Sequence, residues 1–142
     1  MTSKNRRKSW QEKLNDSRPH EVKPVPKDMV GMKKGQAMLI ATPRIVADYV
    51  RKIPKGETRD MPRMRGDLAK AYKAEVTCPI TTGIFLRIVA EAACEDMQAG
   101  VDLEKVVPFW RVMDEKSPVA KKLACGSAFI AKRRAQEVAE KR

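Results

Sequence analysis

The chain has little of several residue types, and each shortage argues against a class of protein. Its 142 residues include one histidine, three cysteines and only 5% aromatic residues. The cysteines, Cys78, Cys94 and Cys125, form no CxxC pair, which is a poor pattern for a zinc site. No apolar run approaches the roughly 20 residues that a membrane-spanning helix needs. We therefore expect no metal, no cofactor and no membrane partner.

The N-terminus also lacks the features of a secretion signal. It is basic, but no apolar stretch follows the first eight residues. Cysteines in a chain without such a signal are usually reduced thiols. We therefore predict a cytoplasmic protein with three free cysteines.

Positive charge is what the chain has in excess. Thirty Lys and Arg residues stand against 18 Asp and Glu, which gives a net charge of +12. Residues 1–34 carry +6 and residues 114–142 carry +4, whereas residues 35–113 carry only +2. Basic excess of this kind favours a polyanion partner, because each neutralised phosphate releases counterions. The alternative is that the basic ends only improve solubility.

The pattern along the chain predicts a basic, proline-containing arm over residues 1–36 and one domain over residues 37–142. Within the arm we expect one short helical turn at Ser9–Leu14 and an extended stretch near Pro24. Trp10 either anchors the arm on the domain or stacks on a partner, and anchoring is the commoner role.

Four helices are predicted in the domain from apolar spacing and capping residues. Thr42 caps the first helix, Asp60 caps the second, and Thr81 or Thr82 caps the third, which runs to about Ala99. We expect Ile84, Ile88 and Ala92, among others, on the buried side of the third helix. The last helix spans about residues 127–141 and is basic.

Between the last two helices, Val106 to Met113 is rich in valine and aromatic residues, which favours strand, and Asp114 to Pro118 favours a turn. These residues predict a hairpin. The fold class is therefore mainly α with a small β-wing: a winged helix-turn-helix-like domain preceded by an extended basic arm. In such domains the third helix commonly enters a DNA groove.

Several segments resemble the alkylguanine-DNA alkyltransferase (methylguanine-methyltransferase) family, and especially its non-catalytic alkyltransferase-like branch. The clearest is Val107-Pro108-Phe109-Trp110-Arg111-Val112, which resembles the Pro-Cys-His-Arg-Val active-site motif of that family. The others are Pro43-Arg44, Arg51-Lys52-Ile53-Pro54-Lys55-Gly56, Trp10 to Leu14, and Cys78 to Phe85. The resemblance implies a winged-helix alkyltransferase-like domain that binds DNA.

The departures from the motif argue against methyl transfer. Phe109 and Trp110 stand where the family has its cysteine nucleophile and its histidine, and neither ring can replace those groups. We therefore expect no catalytic residue. The alternative is a residual alkyltransferase that uses Cys78, Cys94 or Cys125, although nothing in the sequence near them lowers a thiol pKa.

The resemblance and the helix pattern together give the predicted site. We expect DNA contacts from the start of the third helix and from basic residues near it: Thr81, Thr82, Gly83, Arg87, Arg111 and Lys55. Arg87 is either a finger that replaces a flipped base or a solvent-facing side chain that contacts phosphate or pairs with Glu91 one turn later.

The segment that replaces the motif is the predicted base pocket, formed by Pro108, Phe109 and Trp110. If it is a strand, the two rings point to opposite faces. One ring then stacks on a flipped base, or a ring fills the pocket and closes it.

Taken together, the sequence predicts a cytoplasmic, nucleoid-associated protein that binds double-stranded DNA and recognises alkylated or flipped bases without methyl transfer. A protein of a repair pathway is a predicted further partner. Binding of RNA or of a protein on the same fold, as an adaptor, is the alternative from another class.

Overall fold

The computed structural model describes residues 8–141. In chain order, the elements are α1 (Trp10–Leu14), β1 (Glu21–Pro24), β2 (Ala37–Ile40), α2 (Pro43–Arg51), α3 (Met61–Ala71), β3 (Val76–Thr77), α4 (Pro79–Gln98), two single-turn 3₁₀ helices (Phe109–Arg111 and Ala120–Lys122) and α5 (Ser127–Lys141). The predicted mainly helical fold with one small sheet is confirmed.

The sheet has three strands in the order β1-β2-β3. β1 is antiparallel to β2, with Glu21 opposite Ile40, and β3 is parallel to β2, with Val76 opposite Met38. A parallel neighbour requires a crossover connection, and α2 and α3 provide it. The sheet thus places the start of α4, directly after β3, beside the start of α2, directly after β2.

The capping residues of α2 and α3 are those that the sequence predicts. The Thr42 hydroxyl accepts from the Ile45 amide at 3.1 Å, and the Asp60 carboxylate accepts from the Arg63 amide at 2.9 Å. Each helix then has a proline in its first turn, where the missing N–H costs nothing.

The predictions for α4 need two corrections. The helix begins at Pro79 with Cys78 as its N-cap, so Thr82 is already inside it and donates its hydroxyl to the Cys78 carbonyl at 2.6 Å. Ile84 is 53% exposed rather than buried, whereas Leu86 is buried. The exposure of Ile84 belongs to the first two turns of the helix, because Ile88, one turn later on the same side, is buried as expected.

The described part of the predicted arm, residues 8–36, packs as part of the domain. α1 lies against α4, where the Gln11 side chain donates to the Ala92 carbonyl at 2.8 Å and to Asp96 at 2.9 Å. Trp10 packs against the main core. Residues 1–7, with the basic pair Arg6-Arg7, lie outside the described residues.

The predicted hairpin over Val106 to Met113 is wrong. This segment contains the 3₁₀ helix Phe109–Arg111, and the three strands of the described sheet lie elsewhere in the chain. Valine and aromatic residues are common in strands because they suit a half-buried surface. Here, however, Val107, Phe109, Trp110 and Val112 are all buried in the core, which a single turn achieves as well as a strand.

Most buried apolar side chains belong to one core, to which all five α-helices and the first 3₁₀ helix contribute. A smaller cluster, Val25, Met32, Met38 and Cys78, packs beside the sheet residues. Within residues 8–141, none of the helices has both the length and the hydropathy to cross a bilayer.

Candidate functional site

The first two turns of α4 form an exposed apolar ridge. Ile80 and Ile84, one turn apart, are 50% and 53% exposed, although α4 carries more buried residues than the other helices. Gly83 lies between them, and a Cβ there would meet no described atom within 4 Å. We call Ile80, Gly83 and Ile84 the α4 ridge.

A cleft of about 510 Å³ runs along one side of the α4 ridge. Thr81 and Phe85 border it from α4, and the start of α2 borders it at Thr42. Its charged residues come from the N-terminal segment: the cations are Lys13, Arg18 and Lys23, and the carboxylates are Asp16 and Glu21. Cations thus outnumber carboxylates along this wall.

A second, smaller cavity of about 280 Å³ lies on the other side of the α4 start, where Pro79 borders it. Arg65 and Gly66 of α3 face it across the start of the helix, and the carboxylate Glu75 also borders it. The α4 ridge is therefore flanked by concave surfaces on both sides, and each of them contains at least one basic residue.

The N-terminal end of α4 is open to an acceptor. Among the described side chains, none caps it, because Cys78 is the N-cap and makes no capping hydrogen bond. The hydroxyls of Thr81 and Thr82 both point back to the Cys78 carbonyl, at 3.5 and 2.6 Å. N–H groups of an uncapped first turn, together with the helix dipole, favour an anion.

Of the predicted contact residues on α4, Thr81 and Gly83 are at the surface, but Thr82 is fully buried and faces the core. Arg87 is paired with other side chains of the protein. Its guanidinium lies 3.6 Å from the Glu91 carboxylate and 5.4 Å from the centre of the Trp10 ring. The structure therefore matches the pairing alternative for Arg87 rather than the finger.

The predicted base pocket requires a correction. Phe109 and Trp110 are 0% and 1% exposed, and they pack against each other with ring centres 5.4 Å apart. Phe129 of α5 lies 6.1 Å from the Phe109 ring and 5.9 Å from the Trp110 ring. Both rings fill the interior, so neither offers a face to a base, and the pocket-filling alternative describes both.

Arg111 is part of a buried ion pair rather than a free contact. Its Nε and Nη2 donate to the two carboxylate oxygens of Glu137 at 3.0 and 2.8 Å, and its Nη1 donates to the Ile53 carbonyl at 2.8 Å. Burial opposes ionisation of Glu137, but Arg111 and the nearby Trp110 indole N–H hold the pKa of this carboxyl below its ordinary value.

Lys55, the remaining predicted contact, pairs with Glu140 of α5. The hydrogen bond from its ammonium group to that carboxylate raises the pKa of Lys55, which keeps it charged. Lys55 and Arg111 both border a third cleft, which shares no lining residue with the cleft beside the α4 ridge.

The expectation of three reduced thiols is wrong for two of them. Cys94 of α4 and Cys125, just before α5, form a disulfide with a Cα–Cα distance of 5.8 Å. Cys78 is a free, buried thiol. Within the described residues, no group of three or more His, Cys, Asp or Glu side chains is arranged to hold a metal ion.

Sequence reasoning missed the basic residues beside the α4 ridge, namely Lys13, Arg18 and Lys23. It assigned them to a separate arm. The extended stretch near Pro24 was the available signal, because an extended segment that pairs with β2 brings the arm onto the domain.

Comparisons with protein-family models, with curated proteins and with solved structures found no match to this chain.

Proposed function

We propose that this protein binds duplex DNA without modifying it, through the α4 ridge and the basic clefts beside it. The observation that carries the proposal is the shape and chemistry of one helix end: an exposed apolar ridge, uncapped at its N-terminus, with cations on both sides. The net charge of +12 supports a polyanionic partner.

The shape of the ridge favours DNA over double-stranded RNA. A protruding helix fits the major groove of B-DNA, which is about 12 Å wide, whereas the major groove of A-form RNA is too narrow for side chains to read. Ile80 and Ile84 would make apolar contacts inside the groove, and such contacts account for their exposure to solvent.

The flanking cations suit the two phosphate backbones that border a DNA groove. Lys13, Arg18 and Lys23 lie on one side of the ridge, where they exceed the carboxylates by one, and Arg65 lies on the other side, where Glu75 is also present. The uncapped first turn of α4 adds N–H donors for a phosphate oxygen. With six phosphates contacted, affinity would fall about 10³-fold between roughly 50 and 200 mM salt.

Recognition of an alkylated base by Phe109 or Trp110 is not part of this proposal, because both rings are buried. The cysteines also give little support to a residual alkyltransferase. Cys94 and Cys125 would have to be reduced before either could accept an alkyl group, and Cys78 is 6% exposed.

The test is fluorescence anisotropy with a labelled DNA duplex and with an RNA duplex of the same sequence. Ile84→Glu places a carboxylate on the ridge, where it would repel phosphate and lose its hydration in the groove. We expect the affinity for DNA to fall by about tenfold or more, as like-charge juxtaposition and burial of a charge each cost several kcal/mol.

Val138→Glu is the matched control, because Val138 of α5 is 52% exposed and Ile84 is 53% exposed. It makes the same change in charge, and we expect the affinity to stay within about twofold of the parent. Equal losses in the two variants would overturn the assignment to the α4 ridge. Tighter binding of the RNA duplex, or an affinity independent of salt, would overturn DNA binding itself.

A further inference from the structure

We propose that the third cleft, between the end of α2 and α5, is a binding site for a phosphomonoester group. The cleft has a volume of about 280 Å³ and is bordered by four cations, Arg51, Lys55, Arg111 and Arg133, and by two carboxylates, Glu104 and Glu137. This site is separate from the α4 ridge and does not depend on DNA binding there.

Arg133 provides the first reason to expect a ligand. The residue is 8% exposed, and its Nη1 donates to Gln136 at 2.9 Å. Its Nε is buried and makes no hydrogen bond to any atom of residues 8–141. A buried donor without an acceptor is unfavourable, and a ligand oxygen in the adjoining cleft would remove this penalty.

The Trp110 ring forms one wall of the same cleft. Its indole N–H lies near the Glu137 carboxylate. The Arg133 guanidinium lies 5.1 Å from the centre of the Trp110 ring, which holds the unpaired Arg133 Nε beside the cleft.

The balance of charge shows that the acceptor should be an anion. Glu137 is shared by two guanidinium groups, with Arg111 Nη2 at 2.8 Å and Arg133 Nη2 at 3.5 Å. Arg51 is paired with a neutral group, because its Nη1 donates to the Lys105 carbonyl at 3.2 Å. One carboxylate therefore serves two buried cations. Lys55 is paired with Glu140, and the charges of Arg51 and Glu104 offset each other, so the cations at the cleft exceed the carboxylates by one.

Among anions, a phosphomonoester is the best match. Arginine side chains present fixed forks of N–H donors that bind phosphate oxygens in pairs, and an anionic group matches the positive surplus at the cleft. The group has two common sources, a free mononucleotide and the 5′-phosphate at the end of a nucleic-acid strand. The chemistry at the cleft is the same for both sources.

The experiment measures thermal unfolding and calorimetric binding with inorganic phosphate and with a 5′-mononucleotide, against sodium chloride of equal ionic strength. We expect both phosphates to raise Tm and the unphosphorylated nucleoside to have no effect. Arg51→Gln should weaken phosphate binding by about fivefold to tenfold, because it removes one charged donor at the surface. Lys52→Gln is the matched control, since Lys52 is the next residue, is also exposed and does not border the cleft.

Two further comparisons complete the test. Arg133→Lys keeps the charge but removes the Nε donor, so phosphate binding should weaken more than in Arg51→Gln. If Arg133→Lys does not fold, the comparison of Arg51→Gln with Lys52→Gln still tests the phosphate site. Competition between 5′-phosphorylated and 5′-hydroxyl DNA identifies the source: preference for the phosphorylated end assigns nucleic-acid termini, and no preference together with mononucleotide binding assigns the free nucleotide. No rise in Tm beyond that of sodium chloride, or equal losses in Arg51→Gln and Lys52→Gln, would overturn the phosphate site. Neither result depends on whether Ile84→Glu affects DNA binding.

Discussion

The disulfide between Cys94 and Cys125 leads to a quantitative prediction about stability. It joins the C-terminal part of α4 to the residue that precedes Gly126 and α5, across a sequence separation of 31 residues. In the chain-entropy account, closing a loop of that length in the unfolded chain contributes about 3.7 kcal/mol to the free energy of unfolding. Domains of this size are usually stable by only about 5–15 kcal/mol, so reduction should remove a large share of that.

Other contacts at this junction should survive reduction. The Glu91 carboxylate accepts from the Ala124 amide at 3.0 Å, and Leu123 and Ile130 remain in the core on either side of Cys125. We therefore expect the reduced protein to be folded but less stable. The native far-ultraviolet circular dichroism should be the same in both redox states.

The assay is urea unfolding with and without a thiol-free reductant, with mass spectrometry to count free thiols. With a urea dependence of about 2 kcal/mol per molar, the midpoint should fall by roughly 1.8 M on reduction. Cys125→Ser is the control, because it cannot form the bond and its midpoint should not respond to reductant. Unchanged midpoints despite complete reduction of the parent would refute the reasoning, because the cross-link would then contribute no stability.

Two further predictions concern the last helix. Glu137→Gln leaves both guanidinium partners buried without a carboxylate, so the free energy of unfolding should fall by about 3–5 kcal/mol. Because the folded pKa of Glu137 lies below its ordinary 4.5, the ionised carboxylate stabilises the folded protein fully above pH 4.5, and this stabilisation is lost as the pH falls through the folded pKa. In Glu137→Gln, acid should therefore lower the free energy of unfolding less than in the parent. Identical pH profiles for the two proteins would contradict this assignment. Gly56→Ala should cost more than about 1 kcal/mol by urea unfolding, because φ is +86° and a Cβ would lie 2.8 Å from the Lys141 Cδ. Gly35→Ala is the control, because Gly35 has a φ of +90° but no described atom near the added Cβ, so this variant measures the cost of the backbone conformation alone. A larger loss of unfolding free energy in Gly35→Ala than in Gly56→Ala would contradict the predicted clash.

The sequence predicts the local elements of this fold well, because their signals lie within a few residues of each other. Thr42 and Asp60 cap the helices as expected, and helix α5 appears where its pattern places it. The start of α4 was missed because Thr81 and Thr82 are good capping residues on any local scale. Tertiary contacts determine where α4 starts. Strand β3 pairs with β2 and ends at Thr77, so the helix can begin at Pro79, with Cys78 as its N-cap.

The candidate sites are less predictable, because they depend on contacts between distant segments. The motif-like segment favours a strand by composition, and only the packing of Phe129 on Phe109 and Trp110 shows that the rings belong to the core. Likewise, Arg133 looks like part of a solvated basic run until Trp110 and Glu137 are found beside it. The spacing of the cysteines alone gives no reason to pair Cys94 with Cys125.

The docking of α1 on α4 has a consequence for how the protein is made. The amide of Gln11 donates to the Glu95 carboxylate, 84 residues later in the chain. At roughly 5–20 residues per second of translation, α1 leaves the ribosome about 4–17 s before its binding surface exists. During that time Trp10 and Leu14 have no core to pack against, and a helix of five residues is unstable alone. Helix α1 is therefore synthesised well before α4 and becomes ordered only after α4 has been made, so chaperones can bind α1 before α4 does.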